Sequence, residues 1–271
     1  MKVKIAKEAG FCFGVKRAMK MAWDELELNS DIYALGPLIH NKQAVQRYED
    51  KGLVTVDTIN DIPNDKSVII RSHGVSSDIY DKANSNNLNI IDTTCPFVKK
   101  IHNIVKEFYE KGYKIIIIGD KKHPEIIGIN GWCENSALIN SLNLDNNSKY
   151  CLVAQTTLNL ELYNEIVNIL SKKLDNITFK NTICSATKTR QQAAKELSVD
   201  VDCMIVIGGK HSSNTQKLVN ICKEQVPTFA IETKEDLDID KLNKFNLIGV
   251  TAGASTPDWI IEDVISFIES L

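Results

Sequence analysis

The chain has 271 residues, 43% of them hydrophobic and 25% charged, with a formal net charge of −3. That length exceeds one ordinary domain, so two or three units are expected, and the composition is that of a soluble globular protein. The charge balance excludes an overall basic field that would gather nucleic acid or anionic lipid.

At the N-terminus, MKVKIAKEAGFCF lacks the continuous apolar region and small-residue cleavage site that direct secretion. The most apolar runs, YKIIIIGD and CMIVIGG, are too short to span a bilayer. A cytoplasmic protein with no membrane or nucleic-acid partner is expected. Its seven cysteines then read as core thiols or metal ligands, not as cross-links.

In chain order, DIYALG, SVIIRS, LNIID, YKIIIIG, YCLVAQT, DCMIVIGG, TFAIET and NLIGVTAG have the apolar, β-rich character of strands. Between them VKRAMKMAWDELEL, VKKIHNIVKEFYEKG, LELYNEIVNILSKKL and TRQQAAKELS carry helical periodicity. Continuous apolar strands alternating with helices predict an α/β protein with parallel sheets covered on both faces. No Pro/Gly/Ser-rich linker marks a boundary. Internal repetition does.

Three cysteines have a strand or loop before them and a helix after: Cys12 in GFCFGVKRAM, Cys95 in DTTCPFVKKI and Cys184 in TICSATKTRQ. They are spaced by close to a third of the chain. At one fixed distance beyond each stand Gly36, Gly119 and Gly208, each closing an apolar strand, and a few positions later His40, His123 and Ser212. Further on, His73 matches Thr156 in the first two copies, and the longer loop of the third reaches VTAGAST with Ser255. These matches predict one α/β unit present three times, its polar residues just past the C-terminal ends of parallel strands, where open α/β sheets take their ligands.

A structural zinc site usually has four ligands brought in by CxxC pairs, and no CxxC occurs here. Single cysteines from distant points, each before a helix whose N-terminal dipole favours a thiolate, suit an iron–sulfur cluster instead. Three thiolates on a four-iron cubane leave one iron open. Cys151, Cys203 and Cys222 fall in apolar or helical patterns and are expected to be ordinary thiols; Cys133, in NGWCEN, is the alternative fourth ligand.

Around the three cysteines stand His40, His73, His123, Thr156, Thr157, Ser212, Ser213, Asn214 and Ser255, whose imidazoles, hydroxyls and amide can donate to phosphate oxygens. Ser212 or Ser213 has a plainer alternative as the cap of the helix TQKLVNICKE. Glu125, in HPEIIGI, is the carboxylate beside a repeated strand-end histidine: either a proton donor with a shifted pKa or a solvent-facing residue of a helix start. His102, outside the repeat, is expected on a helix surface.

With AGFCFGVKRA, LGPLIHN, RSHGVS, DTTCPFV, HPEIIGI, AQTTL, TICSAT, SSNTQKL and GVTAGASTPDW in this order, the chain resembles the 4-hydroxy-3-methylbut-2-enyl diphosphate reductase family over nearly its whole length. That resemblance implies three tandem α/β units, 14–94, 95–182 and 183–271 with 1–13 joining the third, in pseudo-threefold symmetry around a central cluster. It implies a 4Fe-4S cluster held by Cys12, Cys95 and Cys184 with one open iron for the substrate hydroxyl. The implied reaction removes that hydroxyl with two electrons and protons, giving isopentenyl and dimethylallyl diphosphate, the last step of the non-mevalonate pathway. Glu125, Thr156 and His123 would be catalytic; His40, His73, His123, Thr156, Thr157, Ser212, Ser213, Asn214 and Ser255 would hold the substrate. Ser185, where many members have an aromatic residue, and Lys210-His211 depart from the commoner pattern.

The alternative is a non-redox, cluster-dependent dehydratase or condensing enzyme of the quinolinate-synthase type, against which the SSN and HPE motifs weigh. A cluster-bearing sensor would need an output surface, and no DNA-binding pattern is present. With no nucleotide- or flavin-binding fingerprint in the chain, electrons are expected from a ferredoxin or flavodoxin.

Overall fold

A computed structural model describes residues 1–141 and 144–271. The chain opens with β1 (Lys2–Ile5) and α1 (Phe13–Leu28), then β2 (Ile32–Leu35), α2 (Lys42–Glu49), β3 (Val54–Val56), β4 (Ser67–Ile70), α3 (Ser77–Ser85) and β5 (Asn89–Asp92). There follow α4 (Pro96–Glu110), β6 (Lys114–Ile118), α5 (Pro124–Asn130), β7 (Leu138–Ile139), β8 (Tyr150–Ala154), α6 (Leu160–Ser171) and β9 (Ile177–Phe179). The last part holds α7 (Ser185–Ser198), β10 (Cys203–Ile207), α8 (Ser213–Lys223), β11 (Thr228–Ile231), α9 (Ile239–Leu242), β12 (Leu247–Ala252) and α10 (Asp258–Ser270).

The strands form three four-stranded sheets, β3-β2-β4-β5, β7-β6-β8-β9 and β11-β10-β12-β1, and every pairing is parallel. In each the first strand of the unit lies second in the sheet, its second strand at one edge and its third beside it. The first two sheets finish with their own fourth strand. The third takes β1 from the N-terminus, with Val3 opposite Ile248. The fold is thus three tandem α/β units. All eight expected strands and the four expected helices are present.

Central strands are buried on both faces, as KIIII, YCLVA and CMIVI show. Cores form on each face of the second sheet, one around Ile115, Ile117 and Val153 and the other around Ile116, Leu152 and Tyr150. At about 25 cal/mol per Å2 of apolar surface, each such side chain contributes roughly 1.5–3 kcal/mol relative to exposure. By packing, the chain divides into two compact bodies. One comprises Met1–Lys16, Ile39–Tyr48 and Ser185–Leu271, with the third sheet; the other comprises Arg17–Leu38 and Glu49–Cys184, with the first two. The segment carrying His40 therefore belongs to the body of the third sheet. Among the described residues no helix is long and apolar enough to cross a membrane.

Gly119 and Gly208 close their strands because no side chain fits there. A Cβ on Gly119 would lie 2.8 Å from Gln155 on the neighbouring strand end, and one on Gly208, at φ +154°, would lie 2.5 Å from Thr215 Oγ1.

His102 departs from its expected surface position. It lies in the buried row Val98, Ile101, His102, Val105 of α4 and is 1% exposed. Its ring stacks on Trp132, with centroids 5.1 Å apart, and fills the space left by Gly74. Desolvation lowers its pKa from 6.5 to about 4, with Asp92 opposing and Lys99 adding to the shift. Because the folded pKa is depressed, the stability tied to neutral His102 is fully present above pH 6.5 and is lost as pH falls toward 4. The difference is worth at most roughly 3 kcal/mol. His102→Gln should flatten the fall of the urea midpoint between pH 6.5 and 4; an acid limb identical to wild type would contradict this account.

Candidate active site

The candidate residues sit at the C-terminal ends of the parallel strands, and each sheet repeats the same assignment. In the body with the first two sheets, His73 follows β4 and Cys95 follows its edge neighbour β5. In the second sheet His123 and Glu125 follow β6, Thr156 and Thr157 follow β8, and Cys184 follows the edge strand β9. In the other body Ser212, Ser213 and Asn214 follow β10, Ser255 follows β12 and Cys12 follows the edge strand β1.

Each of these cysteines immediately precedes a helix: α1 starts at Phe13, α4 at Pro96 and α7 at Ser185. The carbonyls of Cys12 and Cys95 accept the first helical bonds, from Lys16 N–H (2.8 Å) and Lys99 N–H (2.9 Å). Their backbone N–H groups point the other way, to the turn ending the next strand of the same sheet. Cys95 N–H donates to Ser72 O (3.0 Å), Cys184 N–H to Thr156 O (2.9 Å) and Cys12 N–H to Ala254 O (3.2 Å). Each acceptor is a substrate-site candidate or the residue before one.

The seven cysteines fall into two classes. Cys12, Cys95 and Cys184 are half-buried, whereas Cys133, Cys151, Cys203 and Cys222 are fully buried. Burial pushes the Cys133 thiol up to about 11 and the other three core thiols up to about 12, so they resist becoming the thiolates that bind metal. Cys133, the alternative fourth ligand, packs with Ile129 and Val105 and lies 3.2 Å from Asn130 O; it is a core thiol. The repeated three have the partial exposure and helix N-terminal positions that suit thiolate ligands to a cluster, and the donor set fits that group.

Glu125 is 3% exposed, not the solvent-facing helix residue of its plainer alternative. Thr156 N–H donates to one of its carboxylate oxygens (2.6 Å) and Thr156 Oγ1 to the other (2.7 Å). The Thr156 carbonyl in turn accepts the Cys184 N–H. One residue thus joins the buried carboxyl to the turn that carries Cys184.

His123 caps α5: its Nδ1 accepts the Glu125 N–H at 3.1 Å. With Nδ1 an acceptor, the neutral imidazole carries its proton on Nε2, as a donor. The His123 ring meets His73 edge-on, centroids 5.4 Å apart.

Ser212 does act as the N-cap of α8, accepting from Thr215 N–H (3.4 Å). Two residues on, Asn214 is 4% exposed and neither its Oδ1 nor its Nδ2 has a partner among the described residues. Leaving such an amide unpartnered costs about 1–3 kcal/mol, so Asn214 has hydrogen-bonding capacity to spare. Ser213 and Thr157 are half-buried. Ser255 Oγ donates to His40 O at 3.4 Å, and Gly209 lies so close to that carbonyl that a Cβ would come within 2.5 Å of it.

Gln155 and Arg190 are among the buried polar residues that the sequence reading did not single out. Gln155, 1% exposed, accepts the Asp120 N–H at 3.0 Å while its Nε2 has no partner among the described residues. Arg190, 2% exposed, donates to Gly10 O at 2.9 Å. Of the departures noted in the sequence, Ser185 is the exposed first residue of α7, and Lys210-His211 form an exposed turn with the Lys210 N–H held by Glu232.

Three tandem α/β units, each with a half-exposed thiol at a helix start, give the class: an α/β oxidoreductase. A family model for the LytB protein matches residues 3–269, and the chain belongs to that family, which is iron–sulfur dependent. A 4-hydroxy-3-methylbut-2-enyl diphosphate reductase of Clostridioides difficile (strain 630) is 66% identical over 279 residues, with all of both chains covered. The reductase of Alkaliphilus oremlandii (strain OhILAs) is 50% identical, again over the whole of both. Among solved structures, the (E)-4-hydroxy-3-methyl-but-2-enyl diphosphate reductase described as the terminal enzyme of the non-mevalonate pathway covers all of both chains at 39% identity and a TM-score of 0.76. The Plasmodium falciparum reductase matches at 33% identity and a TM-score of 0.92, covering all of this chain and 87% of that one. The similarities side with the reductase reading and not with the quinolinate-synthase alternative.

In the metal-free chain at pH 8, Cys12, Cys95 and Cys184 should alkylate before unfolding, and Cys133, Cys151, Cys203 and Cys222 only after it. Mass spectrometry of peptides sampled over time reads the order. Early label on Cys133 would restore it as a ligand.

Proposed function

We propose that this chain reduces 4-hydroxy-3-methylbut-2-enyl diphosphate to isopentenyl and dimethylallyl diphosphate, the last step of the non-mevalonate pathway, in the cytoplasm. Relatives carrying that activity in their names match the chain over its full length. The observation that carries the reading is the joined set Glu125, Thr156 and Cys184: a buried carboxyl fixed at both oxygens by a residue whose carbonyl anchors a cysteine.

Cys12, Cys95 and Cys184 stand at the junctions of the three repeats, 14–94, 95–182 and 183–271 joined by 1–13, and would hold a 4Fe-4S cluster. When bound, that cluster supplies electrons one at a time and an iron with an open coordination position. The overall change breaks one C–O bond: the hydroxyl leaves as water with one proton, and two electrons and a second proton enter the allylic skeleton.

Glu125 is the proton source. Thr156 Oγ1, at 2.7 Å from its carboxylate, can accept from the protonated carboxyl and donate onward, so a proton moves along the pair without either side chain changing place. Burial of Glu125 excludes bulk water from that step. His123, its Nδ1 fixed as an acceptor, presents Nε2–H to an anion. His40, His73, Thr157, Ser212, Ser213, Asn214 and Ser255 supply further donors for the diphosphate, with the amide of Asn214 gaining the partners it otherwise lacks.

Electrons would come from a ferredoxin or flavodoxin. Each cysteine-led helix carries an exposed lysine four residues past the cysteine, Lys16, Lys99 and Lys188. Phe13 is 67% and Phe97 40% exposed. A lysine near each cysteine, with an exposed aromatic ring beside two of them, suits a small acidic electron carrier.

Reconstituted anaerobically with iron and sulfide, the chain should oxidise a chemical reductant only when the allylic diphosphate is added; conversion of the diphosphate without an electron donor would contradict the reading. Glu125→Gln should keep the cluster's visible spectrum and lose turnover by roughly 100-fold or more. Equal turnover in that variant would remove Glu125 from the mechanism.

A further inference from the structure

The loop that delivers Cys12 leaves β1 and enters α1, and within its own body it is held at three points. Cys12 N–H is bonded to Ala254 O. Gly10, at φ +92°, is pressed so closely to α10 that a Cβ would lie 2.9 Å from Ile261 Cδ1 and 3.0 Å from Asp258 Oδ1. The third point is the Gly10 carbonyl, which accepts from Arg190 Nη2 at 2.9 Å.

Arg190 is among the largest fully buried side chains. It lies on the inward row of α7 with Thr187 and Ala194, and its Nη1 also reaches Ala186 O at 3.4 Å. A guanidinium keeps its charge at any working pH and is costly to bury. Here it is fixed by a carbonyl two residues from Cys12, which limits the separation of the two α-carbons to about 7.6 Å.

We propose that Arg190 is a positioning residue for Cys12 and a fixed cation that raises the reduction potential of the cluster. The proposal rests on the reading that Cys12 is a cluster ligand. Three thiolates on a four-iron core leave a net negative group, and each added electron makes it more so. A permanent buried cation stabilises the reduced state more than the oxidised one, because the field is little screened there. Holding Gly10 fixes where the Cys12 loop meets α1, so the same side chain governs placement as well as charge.

The test compares wild type, Arg190→Lys and Arg190→Gln as full chains. In the metal-free state, alkylation of Cys12 should be faster in both variants than in wild type, since neither side chain reproduces the guanidinium's hold on Gly10. After anaerobic reconstitution, redox titration should show a more negative midpoint for Arg190→Gln and a midpoint near wild type for Arg190→Lys, which keeps the charge. Both variants should lose iron to a chelator sooner. Wild-type midpoint and iron retention in Arg190→Gln would overturn the proposal. So would equal midpoint shifts in the two variants, which would show a structural role without a charge effect. If Arg190→Gln does not fold, the lysine variant decides alone: a shifted midpoint overturns the proposal, and a preserved midpoint with faster Cys12 alkylation supports it. A wild-type chain that binds no cluster would overturn the underlying reading, and this inference with it.

Discussion

The structure depends on one backbone hydrogen bond made three times: the N–H of a cysteine at a helix start, donated to the carbonyl of the turn that ends the adjoining strand. Cys95 bonds Ser72, Cys184 bonds Thr156 and Cys12 bonds Ala254. A parallel sheet places the C-terminal ends of neighbouring strands side by side, so the residue leaving one strand and the residue leaving the next are within reach of one bond. The cysteine comes from the edge strand, where the chain is free to turn into a helix, and the acceptor from the more central strand, which is locked in the ladder. The placement of the three cysteines is therefore inherited from sheet register.

Thr156 shows what that inheritance permits. Its carbonyl holds the Cys184 turn, while its N–H and hydroxyl hold Glu125. A carboxyl buried without partners would be costly; one that receives two short bonds from a strand end is held where chemistry can use it. The four core thiols mark the opposite outcome. Cys151 and Cys203 sit within central strands, and burial keeps them protonated. Position relative to the strand end, and not cysteine content, separates the half-buried thiols from the core thiols.

Much of this was legible in the sequence because central strands are continuous apolar runs and the repeat spacing places a glycine at the end of the first strand of each unit. Four of the six edge strands, β1, β3, β7 and β9, escaped because they alternate weakly and stay partly exposed. His102 was misplaced by residue type: its spacing from Val98 and Val105 already put it on the buried face of α4. Gln155 ended an apolar strand without an obvious role, and Arg190 lay in the polar run TRQQ, where only its spacing from Thr187 and Ala194 reveals the inward row. Which loops share a compact body was not legible, since His40 follows a strand of the first sheet yet stands with the third.

The most direct measurement is Mössbauer spectroscopy of the anaerobically reconstituted chain beside single serine variants at Cys12, Cys95, Cys184 and Cys133. The account predicts a four-iron cluster with one distinct iron in wild type and in Cys133→Ser, and loss of that cluster in each of the other three. A cluster that survives at Cys12→Ser, Cys95→Ser or Cys184→Ser, or one that disappears at Cys133→Ser in a folded chain, would contradict it.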